Sequence, residues 1–342
     1  MATGWEPDRI SEKEIADGEA YHRALYINGD IGRPANWHRE SAERLVQLAI
    51  PHVKNGSLVV DYGSGTGGSA IELLKEVENR GMEINLVLID PLVSWFSKAR
   101  DLLKGRPNVH FELSIEKDDS GKLSFRRLEN MLGGRKADVI ISSSTMHLIP
   151  ERAIRDLASQ FAGSLKEDGV FIWDSGDLES EFRPAHSALL HDPYRAVREI
   201  LRNDEIRASR LSEMSSEEVL QHEGRLDRIF PGPYSMDVIL DALTAVGFSS
   251  ETHDEVVGFS NDDAERFALV PRLSEVAAPL LLGEERDEAI RGALKVALAE
   301  IAEQGKGSHT EYRSHWVYGV HRFCLLYTSD AADDMQCVDL GG

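Results

Sequence analysis

The segment LVVDYGSGTGGSA, residues 58–70, constrains the fold more than any other part of the chain. Three apolar residues lead into Asp61. Four glycines then fall within six positions: Gly63, Gly65, Gly67 and Gly68. A glycine-rich turn between a buried strand and a helix lets a ligand approach the backbone closely. In a doubly wound sheet such a turn lies at the carboxyl ends of the strands, where ligands bind.

Short apolar runs alternate with amphipathic stretches on both sides of this turn, which is typical of an α/β protein. Strands are predicted at 58–62, 85–90, 109–113, 137–142 and 170–173. Helices are predicted at 69–80, 93–103 and 151–165, where apolar residues recur with helical spacing. Repeated strand–helix units of this kind predict a parallel sheet with right-handed crossovers.

The pattern divides the chain into five parts. Residues 1–50 are predicted to be helical and to lie across the mouth of the ligand site, and 51–177 form the ligand-binding core. Residues 178–233 are predicted to be a helical cap, with charged helices at 187–210 and 216–226. Residues 234–323 return to the core, with a helix at 236–246, strands at 251–259 and 315–323, and helices at 264–282 and 285–304 between them. We expect the two late strands to pair in antiparallel fashion.

The last part, residues 324–342, reads CLLYTSDAADDMQCVDLGG and has no periodicity. It resembles the translated read-through of a sequencing-library adapter, and we interpret it as a non-native disordered tail. An ordinary acidic tail is the alternative. On the first interpretation, the natural sequence is visible only to about Phe323, and its true end is missing.

Composition excludes several classes of function. The 342-residue chain carries a formal net charge of −21, whereas a protein that binds nucleic acid usually needs a basic surface. No run of about 18 apolar residues predicts a membrane span, and the acidic N-terminus lacks the apolar core of a signal peptide. We therefore expect a cytoplasmic protein that contacts neither nucleic acid nor membrane. Cys324 and Cys337, the two cysteines, form neither a metal-ligand spacing nor a disulfide framework.

Two ligand classes fit the glycine turn. Its spacing satisfies G-x-G-x-x-G, the dinucleotide fingerprint, and equally G-x-G-x-G with an acid two positions ahead. Pyrophosphate on a helix N-terminus is anionic, so a carboxylate at Asp61 is unfavourable for a dinucleotide and favourable for a cation. S-adenosyl-L-methionine (SAM) is cationic and has no phosphate. Asp90 ends the second strand and is placed to bind ribose hydroxyls, but NAD enzymes use the same acid.

Four motifs in register resemble the class I SAM-dependent methyltransferases: DYGSGTGG, LVLIDP, ADVIISSSTMHLIP and SLKEDGVFIW. The resemblance covers roughly residues 55–175. It implies a Rossmann-like, doubly wound, seven-stranded, mostly parallel sheet with an antiparallel last strand pair and helical cap insertions. It also implies SAM as cofactor and S-adenosyl-L-homocysteine as product. The residues it assigns to the cofactor are Asp61, Tyr62, Gly63, Ser64, Gly65, Gly67, Asp90, Pro91, Leu92, Ser114, Ile115, Glu116 and Ser143.

The acceptor side is less constrained by sequence. The fourth strand ends next to the predicted methyl group, so His147 is a candidate to orient the acceptor or take its proton, or a structural histidine. Candidate acceptor-binding residues are Thr145, Met146, His147, His191, Tyr194 and Arg195, with Arg228, Tyr234 and Trp316 as weaker ones. Tyr21, Tyr26 and Trp37 either close over the cofactor or pack in the core.

No metal is expected, because metal-using relatives of the catechol type place acidic ligands where this chain has serines. His309, His315 and His321 recur every six residues. That spacing defines no metal site, and we interpret these histidines as solvated.

The function that follows is methyl transfer by in-line displacement from SAM to a small-molecule acceptor, the EC 2.1.1 class of enzyme, with the methylated atom (oxygen, nitrogen or carbon) open. Two alternatives remain: an NAD(P)-dependent oxidoreductase on the same topology, and a non-catalytic SAM-binding module or partner subunit. No feature of the sequence indicates the oligomeric state.

Overall fold

The computed structural model describes residues 5–7, 9–29, 31–117, 123–203, 205–226 and 232–323. Within them, no helix is both long and apolar enough to cross a bilayer. The predicted tail, residues 324–342, and the weak candidate Arg228 lie outside the described residues.

A seven-stranded sheet forms the centre of the described chain, in the order β3–β2–β1–β6–β7–β9–β8. The strands are β1 (Leu58–Tyr62), β2 (Asn85–Asp90), β3 (Val109–Leu113), β4 (Ile115–Lys117), β5 (Leu123–Phe125), β6 (Ala137–Ser143), β7 (Leu165–Ser175), β8 (Phe248–Ser260) and β9 (Glu311–Phe323). β9 is antiparallel to both of its neighbours, and the other pairs in this sheet are parallel. The predicted fold class is confirmed.

The order of the strands reverses between β1 and β6. The chain runs outward from β1 through β2 to β3, and then returns to β6 on the other side of β1. Ligands of doubly wound sheets bind at the carboxyl ends of the strands at such a switch point. The strand order therefore places the ligand site where β1 and β6 end.

Helices cover both faces of the sheet. They are α1 (Glu12–Leu25), α2 (Asn36–Ala49), α3 (Gly68–Asn79), α4 (Val93–Leu103), α5 (Leu128–Met131), α6 (Glu151–Ser164), α7 (Asp192–Arg202), α8 (Glu205–Ser212), α9 (Ser216–Leu226), α10 (Asp237–Thr244), α11 (Asn261–Ala268), α12 (Pro271–Ala277) and α13 (Gly283–Glu303). Two consecutive residues of β1, Val59 and Val60, belong to two different apolar clusters. This is the pattern of a sheet buried on both faces.

A buried carboxylate fixes helix α1 above the sheet. Asp17 accepts hydrogen bonds from Ser94 Oγ (3.0 Å), Trp95 Nε1 (2.8 Å) and the Arg272 amide (2.9 Å). It therefore joins α1 to α4 and to α12, which are far apart in sequence. A capping box between Ser11 and Glu14 begins the helix. Together these contacts hold the N-terminal segment over the carboxyl ends of the strands.

Several element boundaries differ from those predicted. The helix expected at 187–210 is two helices, α7 and α8, and the helix expected at 264–282 is α11 and α12. Both late strands extend further than their alternating patterns indicated, because β8 and β9 pair over their full lengths. The β4–β5 hairpin was not predicted, since its three-residue strands are too short to produce a period.

The interpretation of the late histidines as solvated is wrong for two of the three. His315 and His321 are buried on β9, and only His309 is exposed. Trp173 Nε1 donates to His321 Nε2 (2.6 Å), and His321 Nδ1 lies 2.8 Å from Ser250 Oγ. Because an indole N–H is only a donor, Nδ1 carries the imidazole proton and donates to the serine. The histidine therefore links three strands of the sheet.

His321 makes stability depend on pH. Burial lowers the pKa of His321 to about 3, so between pH 6.5 and 3 the unfolded chain takes up a proton that the folded chain does not. The stability that this residue contributes is present above pH 6.5 and falls by about 1.4 kcal/mol per pH unit below it. Urea unfolding at pH 7.5 and 5.0 should show that the wild type loses about 2 kcal/mol more than the His321→Gln variant.

The exposed His309 supplies the control, because replacing it by Gln should leave the pH dependence of the wild type unchanged. Equal losses in the wild type and the His321→Gln variant would contradict the assignment.

Candidate functional site

A cleft of about 320 Å³ opens at the carboxyl ends of β1, β2 and β6. Ten of the residues predicted for the site line it: Tyr62, Gly63, Ser64, Gly65, Asp90, Pro91, Leu92, Ser114, Ser143 and Thr145. The cleft therefore lies at the switch point of the sheet and is built from the ends of neighbouring strands.

The glycine turn is held tightly against the end of β6. Gly63, Gly65 and Gly67 have φ of +77°, +53° and +83°, a region that favours glycine. A Cβ at Gly63 would overlap the Thr145 side chain. The Thr145 hydroxyl lies 3.1 Å from the Gly63 carbonyl, and Ser142 Oγ donates to the Tyr62 carbonyl (2.8 Å). These contacts hold the turn against the end of β6.

Asp90 holds the other side of the turn. One of its oxygens accepts from the Gly65 amide (2.8 Å), and the other accepts from the Leu92 amide (2.7 Å). Burial raises the pKa of Asp90 to about 6, although these two amides lower it. The Gly65 amide is therefore bound by a carboxylate of the same chain rather than left open for a phosphate.

Asp61 lies at the base of the turn and is fully buried. Neither of its carboxylate oxygens has a hydrogen-bond partner among the described residues. Burial, and to a lesser extent the charge of Asp90, raise the pKa of Asp61 to about 8. The nearby Ala70 amide lowers this pKa but does not outweigh them. Asp61 is not itself among the lining residues, although Tyr62 and Gly63 are. A buried carboxyl group without a partner is costly, so this position is one where a cation would be stabilised.

Aromatic side chains cover the cleft. Tyr21 from α1 stacks on Trp95 from α4, with ring centroids 3.6 Å apart and planes 5° apart. Trp37 and His38 from α2 also line the cleft. Tyr26 does not, and its hydroxyl lies 3.2 Å from the Gly68 carbonyl and from Glu72 Oε1. Tyr21 and Trp37 thus belong to the cleft wall, and Tyr26 to the packing beneath it.

The sequence missed several lining residues, which include Leu25, His38, Trp95, Phe125, Leu148 and Pro150. Most are apolar residues that come from elements distant in the chain. Leu148 and Pro150 lie within the motif ADVIISSSTMHLIP, which assigned them no role. No motif connects the others, so the one usable signal for them was aromatic content in the N-terminal segment. Phe125, on the hairpin, is 74% exposed.

Two predicted cofactor residues lie on the β4–β5 hairpin rather than on the cleft wall. Ile115 and Glu116 do not line the cleft, and Glu116 is exposed. The chain leaves the sheet at Ser114, whose side chain does line the cleft, and turns into the hairpin. Gly67 also lies off the wall, where a Cβ would approach Ala99 on α4 at 3.2 Å.

The predicted acceptor residues divide into two groups. Thr145 lines the cleft, whereas Met146, His147, His191, Tyr194 and Arg195 do not. The Tyr194 hydroxyl donates to the Leu273 carbonyl (2.6 Å), and the Tyr234 hydroxyl donates to the Met146 carbonyl (2.6 Å). Trp316, a weaker candidate, is fully buried. These contacts tie the cap to the core.

His147, His191 and Arg195 meet in a buried cluster with Asp177, which was not predicted. The Nε2 atoms of His147 and His191 are 3.1 Å apart, and His147 Nδ1 lies 2.9 Å from Ser175 Oγ. Asp177 accepts from the His191 amide (3.1 Å) and from both terminal nitrogens of Arg195.

Electrostatics in this cluster favour neutral imidazoles beside a carboxylate. Burial lowers the pKa of His147 to about 4 and that of His191 to about 3. Burial opposes ionisation of Asp177, but the Arg195 guanidinium and, where they are protonated, the two imidazoles outweigh it and lower its pKa. At neutral pH the cluster therefore pairs one carboxylate with one guanidinium and holds two uncharged imidazoles.

The fold and the glycine-turn cleft define a Rossmann-like protein with the seven-stranded, mostly parallel sheet and the antiparallel last strand pair that the resemblance to class I SAM-dependent methyltransferases implies. No family model matches the chain. A carboxy-S-adenosyl-L-methionine synthase from Sulfurimonas denitrificans is 24% identical over 234 residues, which are 68% of this chain and 86% of that protein.

Solved structures are similar at lower identity. The cyclopropane synthase MmaA2 from Mycobacterium tuberculosis is 13% identical with a TM-score of 0.49, over 92% of this chain and 100% of that one. A phosphoethanolamine N-methyltransferase from Haemonchus contortus, in complex with S-adenosyl-L-methionine, is 12% identical with a TM-score of 0.47. It covers 94% of this chain and is itself covered over 61% of its length.

The shape of the glycine turn can be tested by substitution. Gly63→Ala should destabilise the protein because its Cβ would overlap Thr145, whereas Gly81→Ala adds a Cβ with no atom within 4 Å. Both residues have positive φ (+77° and +66°), so their difference isolates the overlap. Urea unfolding should show that Gly63→Ala costs about 1–3 kcal/mol more than Gly81→Ala. Equal costs would mean that Thr145 does not hold the turn.

Proposed function

We propose that the chain binds SAM in the glycine-turn cleft and transfers its methyl group to a small-molecule acceptor. The observation that carries the proposal is the pair of buried carboxylates at the turn. Asp90 binds the Gly65 amide, and Asp61 lies beneath the turn with no partner. The 24% identical relative, a carboxy-S-adenosyl-L-methionine synthase, supports the same ligand class.

The same carboxylates argue against a dinucleotide. A pyrophosphate needs the amides of the glycine turn and the positive end of the following helix. In this chain the Gly65 amide is 2.8 Å from Asp90 Oδ2, and a second buried carboxyl group lies at Asp61. The Asp90 carboxylate at this position repels an anion, whereas Asp90 and an ionised Asp61 together stabilise an ammonium or sulfonium. The oxidoreductase alternative is therefore disfavoured.

Each part of the cleft has a distinct role in this proposal. Asp90 accepts the ribose hydroxyls while its amide contacts keep the carboxylate in place. The Tyr21–Trp95 stack and Leu92 supply an apolar wall for the adenine. Ionised Asp61 stabilises the positively charged methionine part. The bound cofactor supplies an activated methyl group on a sulfonium.

The chain then has to align the acceptor and exclude water. Thr145, which follows β6, lines the cleft and is the proposed acceptor contact, next to Ser143, which is assigned to the cofactor. The α1 and α2 aromatics cover the opening and limit access of solvent. His147, the predicted general base, is buried behind this wall at 4% exposure. Its direct contact with an acceptor remains a prediction.

The named relative favours a second candidate, in which SAM is the substrate to be modified rather than the methyl donor. That relative is a carboxy-S-adenosyl-L-methionine synthase and covers 68% of this chain. Both candidates use the same cofactor cleft, so they differ in the product alone. A cytoplasmic location, the lack of nucleic-acid binding and a small acceptor remain predictions from the sequence.

Asp61→Asn tests the cofactor assignment directly. We expect the wild type to bind S-adenosyl-L-homocysteine with micromolar affinity by calorimetry and not to bind NAD, and we expect Asp61→Asn to weaken binding by roughly tenfold or more. The matched control is Asp263→Asn, which changes a buried carboxylate on α11 that is already paired with Arg266. This control should bind as the wild type does. Unchanged affinity in Asp61→Asn, or binding of NAD alone, would contradict the proposal.

The reaction can be assigned by the fate of a label. SAM carrying an isotopic methyl group is incubated with the protein and a metabolite mixture, and the products are separated by mass. Methyl transfer predicts label in an acceptor and one equivalent of S-adenosyl-L-homocysteine, whereas the second candidate predicts a heavier sulfonium that keeps the label. Binding without either product would favour the non-catalytic SAM-binding alternative.

A further inference from the structure

Two histidines of different elements face each other beside a carboxylate, behind the wall of the cofactor cleft. His147 follows β6, His191 precedes α7 of the cap, and Asp177 follows β7. All three are buried, and one ligand atom from each lies within 4.8 Å of the others. Two imidazole nitrogens and a carboxylate oxygen are the donor set of many transition-metal sites.

We propose that His147, Asp177 and His191 bind a divalent first-row transition-metal ion such as Zn²⁺. The two Nε2 atoms are 3.1 Å apart. For an ion about 2.1 Å from each nitrogen, the N–metal–N angle would be about 95°, which is compatible with coordination by both imidazoles. Mg²⁺ and Ca²⁺ prefer oxygen donors, so the two imidazoles select a softer ion.

A hydrogen bond between His147 and Ser175 fixes the orientation of the His147 imidazole. Ser175 Oγ accepts the Asp177 amide (3.1 Å) and lies 2.9 Å from His147 Nδ1. With the Nδ1 proton donated to this serine, the Nε2 lone pair points toward His191. An outer-shell hydrogen bond of this kind is what orients a metal-binding imidazole.

Arg195 shares the carboxylate without occupying all of it. It donates to both oxygens of Asp177 from one side, and the His191 amide also donates to Oδ1, so the acceptor position that remains is on Oδ2. A modest rotation of the Asp177 side chain brings one oxygen to the ion. Because Arg195 balances the charge of Asp177, a dication would leave the cluster positive. Its open coordination positions would therefore favour water as hydroxide or an anionic oxygen of a substrate.

The cluster lies one aromatic ring from the cofactor cleft. Phe267 packs on His191 (centroids 5.8 Å apart) and on Tyr21 (6.3 Å apart), and Tyr21 lines the cleft. His147 lies between Thr145 and Leu148, which both line it. The metal would thus stand on the acceptor side, on residues supplied by the cap and the core together. The metal site does not depend on the identity of the cofactor.

The test is calorimetry of the full chain, without an affinity tag and stripped with chelator, titrated with Zn²⁺ and separately with Mg²⁺. We expect one equivalent of Zn²⁺ to bind and Mg²⁺ not to bind. His147→Ala and His191→Ala should each weaken Zn²⁺ binding by at least about 100-fold. The matched control is His315→Ala, because His315 is also buried beside a carboxylate (2.6 Å from Asp254) but has no second histidine there. It should bind Zn²⁺ as the wild type does.

A lack of stoichiometric Zn²⁺ binding, or binding unaffected by both histidine substitutions, would overturn the proposal. Crystals of the wild type soaked in Zn²⁺ keep the test independent of whether the variants fold. Anomalous scattering should then give a peak between the two Nε2 atoms. A peak only at exposed histidines, or none, would overturn it.

Discussion

The burial of two carboxyl groups at one glycine turn is the constraint on which the rest of the site depends. Asp90 is held by the Gly65 and Leu92 amides, so its cost of burial is offset by hydrogen bonds. Neither oxygen of Asp61 has a hydrogen-bond partner among the described residues, and burial and the charge of Asp90 outweigh the favourable effect of the nearby Ala70 amide. A group that is raised to a pKa of about 8 is poorly suited to structure alone, whereas it suits a site that receives a positive charge. The cleft shape and the aromatic cover then serve to enclose that charge.

The core of this arrangement was predictable because its signals are local. The strand ending in Asp61, the glycines with positive φ and the strand ending in Asp90 each follow from residues within a few positions of one another. Chain connectivity then fixes their neighbourhood, since parallel strands joined by helices bring their carboxyl ends to one edge. Ten of the lining residues were therefore named from sequence.

The rest could not be predicted because it depends on contacts between distant parts of the chain. Trp95 and Tyr21 stack where α1 packs on α4, a contact to which Asp17 and the Glu19–Lys98 ion pair contribute. Glu116 was expected near the adenine, but the chain turns into a hairpin at that point and the side chain is exposed. His315 and His321 were predicted to be solvated, but they are buried because β8 and β9 pair along their full lengths. Periodicity reports which face of an element is apolar, and it does not report what packs against that face.

The proposed metal site joins a histidine of the predicted cap to residues of the core. His191 is carried by the insertion, and His147 and Asp177 by the ends of β6 and β7. The sequence-based expectation of no metal considered the serine-rich end of β6 and did not include a ligand from the cap. A site assembled from both parts would link the position of the cap to the chemistry of the cleft.

The number of protons released when S-adenosyl-L-homocysteine binds tests directly whether Asp61 receives the positive charge of the ligand. Calorimetry at pH 7 in two buffers of different ionisation enthalpy gives this number. With a pKa of about 8 in the free protein, Asp61 is mostly protonated at pH 7 and must ionise to meet the ammonium. We therefore predict that the wild type releases close to one proton on binding and that the Asp61→Asn variant releases none. Binding by the wild type with no proton released would contradict the claim that Asp61 awaits a cation.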